Sequence, residues 1–259
     1  MNASTVTSLA QDLFDAERGR TALTPISERH PELTPRDAYA VQEGYADLRR
    51  AGGARLVGRK IGATSEAIQK LFAIDTPDYG HIFDDMIVPD GGTIPRDELI
   101  QPMVEPELAF VLDREIRGPG VTRADVLDAT AAIIPCLEII DSRIVDWKIG
   151  YVDTVADNGS SARVILGTPI ERPDLDLAAQ VTILSRNGEE VERATGAAVL
   201  GHPADSVAWL ANALGEYGHA LEAGAYVLSG SFTTAVPAEA GDTFQADFPG
   251  AGSVSCRFS

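Results

Sequence analysis

The sequence predicts an α+β protein in which a mixed β-barrel or β-roll is joined to an α-helical N-terminal portion. Helical signals dominate the first hundred residues, whereas strand-like segments cluster after them. Regular alternation of strands and helices is rare, which disfavours a doubly wound parallel sheet. We expect a helical portion over residues 1–75 and a β-rich catalytic domain over residues 76–259, together forming one structural unit.

The first hundred residues are predicted to be helical with connecting loops. Thr34-Pro-Arg-Asp37 is typical of a capping box with proline at the first helical position. Gly52-Gly53 predicts that this helix ends after Arg50. A shorter helix is expected around residues 67–72, and the stretch 76–80 is rich in turn-forming residues.

Strands predominate from residue 100 onwards. We predict them near residues 104–112, 133–140, 162–166, 225–229, 243–248 and 253–258. Asn187-Gly188 predicts a type I′ turn that joins two further strands in a hairpin. A helix is expected between His202 and Gly218.

Three glutamates in strand-like segments are the candidate ligands of a metal ion. Glu105 and Glu107 are separated by one residue, so in an extended segment both side chains point to the same face. Glu138 lies within an apolar run typical of a buried strand, where a lone carboxylate is costly unless it is paired or bound to a metal. Converging carboxylates favour a hard dication such as Mg²⁺ or Mn²⁺.

Two other interpretations of these glutamates stay open at the level of the sequence. The Glu-x-Glu pair fits the solvent-exposed face of an edge strand, and Pro106 is typical of an edge or of the first residue of a strand. Glu138 is also compatible with a buried salt bridge to Arg143 or Lys148. Neither alternative requires a metal ion.

Lys60 and Asp78 are the candidate residues for substrate binding or proton transfer. Lys60 lies between Gly58 and Gly62, which would let a ligand approach the backbone closely, and its ammonium group suits a carboxylate. An exposed lysine between two turns has the same pattern, and Asp78 is equally typical of a turn former. The segment 157–161 is a polar loop of small residues, as in oxyanion-binding loops and in ordinary turns.

The composition argues against several classes of function. A formal net charge of −18 disfavours binding to nucleic acid or to an anionic membrane surface, because both depend on basic residues. No apolar run approaches the roughly 18 residues of a membrane span, and no signal peptide is evident. Cys136 and Cys256 are predicted to be buried free thiols, which suits a cytoplasmic protein. Nucleotide-binding and zinc-binding motifs are absent from the sequence.

A set of motifs follows in order along nearly the whole chain. They are Lys60-Ile-Gly-Ala-Thr-Ser, Pro77-Asp-Tyr-Gly with Asp84-Asp-Met, Val104-Glu-Pro-Glu-Leu-Ala-Phe-Val-Leu, Leu137-Glu-Ile-Ile-Asp-Ser-Arg-Ile-Val-Asp-Trp-Lys, Asp153-Thr-Val-Ala-Asp-Asn-Gly-Ser-Ser, Val207-Ala-Trp-Leu-Ala-Asn, Ser229-Gly-Ser-Phe-Thr and Gly252-Ser-Val-Ser-Cys-Arg-Phe. With these motifs the chain resembles the 2-keto-4-pentenoate hydratase and 2-oxo-3-hexenedioate decarboxylase group of the fumarylacetoacetate hydrolase superfamily.

The resemblance implies a distorted mixed β-barrel or roll with helices outside, assembled into homo-oligomers. It assigns the three glutamates, Glu105, Glu107 and Glu138, as ligands of Mg²⁺ or Mn²⁺. It places four further residues at or near the substrate: Lys60, Asp78, Ser160 and Ser161. The chain departs from the family pattern at Gly159, where relatives usually carry alanine.

The resemblance also implies a metal-dependent lyase in the meta-cleavage catabolism of aromatic compounds. The enzyme would add water to 2-hydroxypenta-2,4-dienoate (2-oxopent-4-enoate) and give 4-hydroxy-2-oxopentanoate. The alternatives are decarboxylation of 2-oxo-3-hexenedioate (4-oxalocrotonate), hydration of a longer dienoate, and a non-catalytic role as partner subunit in a hydratase–decarboxylase complex. The expected partners are the small anionic substrate, further copies of the chain, and a sister decarboxylase or a downstream aldolase.

Overall fold

The computed structural model of the chain describes residues 1–65, 68–70, 74–171 and 174–259. Its α-helices are α1 (Ala3–Gly19), α2 (Ile26–Arg29), α3 (Pro35–Ala51), α4 (Arg123–Ala129), α5 (Tyr151–Ala156) and α6 (Pro203–Glu216). Its strands are β1 (Leu56–Gly62), β2 (Asp78–Phe83), β3 (Ile87–Pro89), β4 (Gly92–Ile94), β5 (Met103–Leu112), β6 (Thr130–Ile140), β7 (Ser161–Leu166), β8 (Ile170–Glu171), β9 (Val181–Arg186), β10 (Glu189–Thr195), β11 (Tyr226–Leu228), β12 (Val236–Pro237), β13 (Thr243–Phe248) and β14 (Gly252–Phe258).

These strands form two mixed sheets. The large sheet has the order β2-β1-β11-β5-β6-β7-β3, with β12 also paired to β5 and β8 also paired to β6. The small sheet has the order β10-β9-β13-β14-β4. Both sheets combine parallel and antiparallel ladders. The main apolar core contains side chains from both sheets and from α6, such as Phe110, Phe244 and Leu210.

The β-rich part of the chain follows the sequence prediction closely. Each strand predicted after residue 100 is present, and the helix expected between His202 and Gly218 is α6. Asn187 and Gly188 have φ angles of 56° and 83°, as a type I′ turn requires, and they join β9 to β10. Cys136 and Cys256 are buried free thiols, as predicted.

The helical prediction for the first hundred residues is wrong over four segments, because β1, β2, β3 and β4 lie there. β1 is an interior strand of the large sheet, paired with β2 on one side and with β11 on the other. Its sequence carries two glycines and two cations, Gly58, Gly62, Arg59 and Lys60, so it lacks the alternation that marks a strand. The helix expected near residues 67–72 lies largely outside the described residues. The division at residue 75 stays a prediction.

The N-terminal helices form a second apolar cluster beside the sheets. Thr34 caps α3 as predicted: its Oγ1 accepts the Asp37 N–H at 3.2 Å, and the Thr34 N–H donates to Asp37 Oδ2 at 3.2 Å. Leu13, Val41 and Val155, from α1, α3 and α5, are buried together in this cluster. The helices therefore hold the loop that follows α5 against the large sheet.

β5 and β6 are the central pair of the large sheet and are paired along almost their whole length. One face of β5 contributes Val104, Leu108 and Phe110 to the main core. The other face carries the Glu-x-Glu pair, and Ala109 continues the same face into a smaller apolar cluster. A charged stretch therefore lies within an otherwise apolar sheet surface.

The edge-strand interpretation of the Glu-x-Glu pair is wrong, because β5 has β6 on one side and both β11 and β12 on the other. Pro106 lies in the gap where β11 has ended and β12 has not begun. Its carbonyl accepts the Phe232 N–H at 3.1 Å, from the loop between those strands. Proline is tolerated here because no neighbouring strand needs its missing N–H.

Candidate metal centre and active site

The three candidate ligands converge on one face of the β5–β6 pair. Glu105 lies directly opposite Glu138 in the antiparallel register, so both side chains project from the same side of the sheet. Glu107 follows two residues along the same face. One carboxylate oxygen from each of the three glutamates lies within 4.8 Å of the other two.

The hydrogen bonding of these carboxylates is incomplete. Neither oxygen of Glu138 accepts a hydrogen bond, although this side chain is fully buried. Glu107 is also buried and accepts one bond, from the Gly230 N–H at 2.8 Å. Buried carboxylate oxygens without donors are costly, and a hard cation with oxygen ligands would compensate them. The donor set therefore fits Mg²⁺ or Mn²⁺.

Lys60 supplies the compensating positive charge beside Glu138. Its Nζ lies 3.4 Å from Glu138 Oε2 and donates to the Gly159 carbonyl at 2.8 Å. Lys60 is only 4% exposed, so its interpretation as a surface residue is wrong. The alternative that Glu138 forms a salt bridge with Arg143 or Lys148 is also wrong. Arg143 pairs with Asp157, and Lys148 pairs with Asp146.

Burial and mutual repulsion set the protonation of the carboxylates. Burial, reinforced by the neighbouring Glu138 and opposed by Lys60, raises the pKa of Glu105 to about 7. Burial together with Glu138 and Glu105 raises the pKa of Glu107 well above its usual value. Burial opposes the charge of Lys60, but the surrounding carboxylates outweigh it and raise the Lys60 pKa. Lys60 is therefore a cation at neutral pH.

Asp78 lies at the start of β2, next to Gly62 of β1 in the antiparallel register. It is 2% exposed, and its Oδ1 accepts no side-chain hydrogen bond. Thr154 Oγ1 is 3.5 Å from Asp78 Oδ2. Burial raises the pKa of Asp78, and Lys60 opposes this shift. A Cβ atom at Gly62 would lie 2.3 Å from Asp78 Oδ1, so glycine is required for this packing.

The loop after α5 approaches Lys60 in an unusual conformation. Asn158, Gly159 and Ser160 have φ angles of 56°, 59° and 57°, so three successive residues are left-handed. This conformation directs the Gly159 carbonyl to Lys60. Ser160 lines the same cavity as Lys60, whereas Ser161 does not line it and its Oγ is buried without a hydrogen-bond partner. The loop thus brings one of the two predicted serines to the site.

Comparison with known proteins identifies the family. Residues 51–259 match the fumarylacetoacetate (FAA) hydrolase C-terminal family. The chain belongs to this family. It is 48% identical to 2-oxo-hept-4-ene-1,7-dioate hydratase of Escherichia coli, over 98% of both chains, and 45% identical to 2-hydroxyhexa-2,4-dienoate hydratase of Comamonas testosteroni, over 96% of both.

A solved structure has nearly the same fold. It is 4-oxalocrotonate decarboxylase from Pseudomonas putida G7, complexed with magnesium and adipate, with a TM-score of 0.98 and 39% identity. The match covers 100% of this chain and 99% of that chain. The predicted fold class and the family resemblance are confirmed. None of the helices in the described part of the chain combines the length and the apolar composition that a membrane span requires.

A cavity of about 1050 Å³ surrounds the candidate site of this FAA hydrolase family member. Lys60, Asp78 and Glu105 lie on its wall, together with Thr154, Trp147, Phe232 and Glu192, which the sequence analysis did not assign. Three of these four belong to the family motifs, which is the signal that would have identified them. Glu192 lies in the β9–β10 hairpin of the small sheet, outside every motif.

Proposed function

We propose that this protein is a metal-dependent hydratase that adds water to a 2-hydroxy-2,4-dienoate. The smallest such substrate is 2-hydroxypenta-2,4-dienoate, which would give 4-hydroxy-2-oxopentanoate. One observation carries the proposal: the carboxylates of Glu105, Glu107 and Glu138 converge beside Lys60 at a large cavity, and both oxygens of the buried Glu138 lack hydrogen bonds. The similarity to two hydratases over nearly the full chain supports it.

Glu105, Glu107 and Glu138 would hold Mg²⁺ or Mn²⁺. When bound, the dication would supply Lewis-acid stabilisation of negative charge on the 2-oxygen of the substrate. The Gly230 N–H already fixes one oxygen of Glu107, so this ligand is oriented before a cation arrives.

Lys60 would bind the substrate carboxylate as a permanent cation. Its pKa is raised, so it is a poor general base, and its ammonium group is held by the Gly159 carbonyl and by Glu138. The ammonium group has three N–H donors, so it retains donor capacity for a ligand in the cavity beyond the bond to Gly159. Ser160 lies on the same cavity wall, and its Oγ, which donates to Asp157 Oδ2 at 3.3 Å, would accept a hydrogen bond from the substrate hydroxyl. We assign no contact to Ser161, whose involvement stays a prediction.

Asp78 would transfer protons. Hydration of a dienoate requires the dienol to lose its O–H proton, the terminal carbon to gain one, and water to deliver hydroxide to carbon 4 and a proton to carbon 3. A buried carboxyl group with a raised pKa is suited to both accepting and returning a proton. Asp78 also has an oxygen without a side-chain hydrogen bond.

Decarboxylation of 2-oxo-3-hexenedioate is the second candidate function. The specific observation in its favour is the TM-score of 0.98 to a 4-oxalocrotonate decarboxylase. Both reactions require a bound 2-oxo acid and stabilised negative charge at the same oxygen, so the carboxylate cluster alone does not separate them.

The decisive experiment supplies both substrates to the EDTA-treated protein and to the protein restored with Mg²⁺ or Mn²⁺. Loss of dienol absorbance without CO₂ release supports the hydratase, whereas CO₂ release from the diacid supports the decarboxylase. Glu107→Gln should lower turnover by at least about 100-fold, as expected for a lost metal ligand. Glu171→Gln, which is exposed on β8 of the same sheet, is the matched control and should retain activity. Normal turnover by Glu107→Gln would overturn the assignment.

We also propose that the chain acts as a homo-oligomer, in association with a sister decarboxylase or a downstream aldolase. The alternative is a non-catalytic partner subunit. Turnover by the purified chain alone distinguishes these roles: a catalytic subunit converts the dienoate, while a purely structural one binds Mg²⁺ and converts nothing.

A further inference from the structure

The cavity extends well beyond the carboxylate cluster, and its extension is mainly apolar. Met103, Trp147, Ile149 and Phe232 line it together with Ile68. Its volume of about 1050 Å³ lies at the upper end of the range of about 300–1,000 Å³ for sites that hold drug-sized ligands. A five-carbon acid anchored at Lys60 would leave most of this apolar surface covered only by water.

The charged groups of the extension do not favour a second anion. Among the described lining residues, Lys148 is the one cation besides Lys60, and its largely exposed side chain forms an ion pair of 3.0 Å with Asp146. Glu192 lines the cavity from the small sheet and has no hydrogen-bond or ion-pair partner among the described residues. The extension therefore presents one uncompensated negative charge.

The names of the two hydratases cited above differ at this end of the substrate. One is named for a seven-carbon dioate and the other for a six-carbon monoacid, with 48% and 45% identity to this chain. Sequence identity therefore does not decide between a carboxylate and an apolar terminus. The charges on the cavity wall decide between these two kinds of terminus.

We infer that the substrate is a monocarboxylic 2-hydroxy-2,4-dienoate whose far end is an uncharged apolar tail, and that Glu192 is a specificity-determining residue that disfavours dicarboxylates. This inference rests on the proposed function. A terminal carboxylate would lose its hydration, lie near the like charge of Glu192 and have no unpaired cation to bind. Each of these three effects disfavours the binding of a dicarboxylate. An alkyl tail would instead cover Met103, Ile149 and Phe232 and gain from the burial of each methylene.

A matched pair of non-reacting ligands tests the inference by binding alone. 2-Oxoheptanoate and 2-oxoheptanedioate have the same chain length and differ only in a terminal methyl or carboxylate group. Calorimetry on the Mg²⁺-loaded protein at low salt should give a dissociation constant about tenfold lower for the monoacid. Equal or tighter binding of the dioate would overturn the inference.

Variants of the hairpin then test the role of Glu192. Glu192→Gln should narrow the difference between the two ligands by about two- to fivefold, chiefly through tighter binding of the dioate, and the gain should shrink with added salt. Glu189→Gln is the matched control, because Glu189 is exposed on the same strand and does not line the cavity. An unchanged ratio in Glu192→Gln, or the same change in both variants, would overturn the role of Glu192.

Turnover separates this inference from the proposed function. With active protein, the specificity constant should rise from 2-hydroxypenta-2,4-dienoate to 2-hydroxyhexa-2,4-dienoate by about fourfold, the value of one buried methylene group, and should be lowest for the seven-carbon diacid. Preference for the diacid overturns the inference and leaves the hydratase function standing. Monoacid-selective binding with no turnover of any dienoate overturns the hydratase function and leaves the selectivity standing.

Discussion

Two clusters of buried charge lie close together in this protein, and they are compensated very differently. Arg143 and Asp157 form an ion pair of 2.5 Å in which Arg143 also donates to the carbonyls of Asp141 and Ser161, at 3.0 and 3.1 Å. The carboxylate cluster instead sets three glutamates against the single ammonium group of Lys60, and both oxygens of Glu138 lack hydrogen bonds. Burial of charge alone therefore does not mark a functional site, whereas incomplete compensation does.

The ion pair is expected to stabilise the fold whether or not a metal is bound. Arg143→Met should lower the free energy of unfolding by about 3–5 kcal/mol, because Asp157 would be left as an unpaired buried charge. Urea denaturation with and without Mg²⁺ measures this loss, which should be the same in both conditions. A loss below about 1 kcal/mol would mean that the pair contributes no more than a surface salt bridge.

The carboxylate cluster should respond in the opposite way. Glu138→Gln removes one of three repelling charges, so the metal-free variant should be at least as stable as the wild type in EDTA. Wild-type protein at a Mg²⁺ concentration 100 times the dissociation constant should gain about 2.7 kcal/mol, and the variant should lose most of this gain. Thermal unfolding across a Mg²⁺ titration measures both values. A metal-free variant that is strongly destabilised would show that Glu138 has a structural role instead.

The same comparison explains what the sequence could and could not predict. The spacing of Glu105 and Glu107, and the apolar run around Glu138, predicted three carboxylates on one face, because strand periodicity is local. That Glu105 lies opposite Glu138 depends on the register of β5 against β6, which the sequence does not encode in any short segment. The residue that supplies the compensating charge was harder still to predict. Lys60 comes from β1, and the glycines of this strand obscure the alternation that marks a strand.

Ion-pair partners and contacts between the sheets explain the other errors. Arg143 and Lys148 were the nearest cations to Glu138 along the chain, yet each pairs with a closer acid, Asp157 and Asp146. Glu192 reaches the cavity from the second sheet, so only the packing of the two sheets places it there. Fold class and motif identity were predictable, whereas contacts between sheets were not.

A pH titration of the metal-free protein would sharpen the contrast between the clusters. The pKa of Glu105 is raised by burial to about 7, so its contribution to stability is fully present below its unfolded pKa and is lost as the pH rises through about 7. In EDTA the urea midpoint should therefore fall between about pH 5 and pH 8. Glu105→Gln should flatten this dependence. A midpoint that rises over the same interval in the wild type would contradict the assigned repulsion.

The smallest expected change in stability comes from an exposed carboxylate, and its pH dependence has the opposite sign to that of Glu105. Asp125 closes the capping box of α4: its carboxylate accepts from Thr122 Oγ1 at 2.6 Å and from the Thr122 N–H at 2.8 Å, and these bonds lower its pKa. Its stabilising contribution is therefore present above the unfolded pKa and is lost as the pH falls below it.

Asp125→Asn should lower the urea midpoint at pH 6 and match the wild type at the acidic end of the titration. Asp174→Asn, which changes an exposed residue, is the control and should differ from the wild type at neither pH. A difference that persists at low pH would mean that the cap acts through the shape of the side chain. The charge of a carboxylate at this position would then be irrelevant, in contrast to the carboxylate cluster, where charge determines both stability and metal binding.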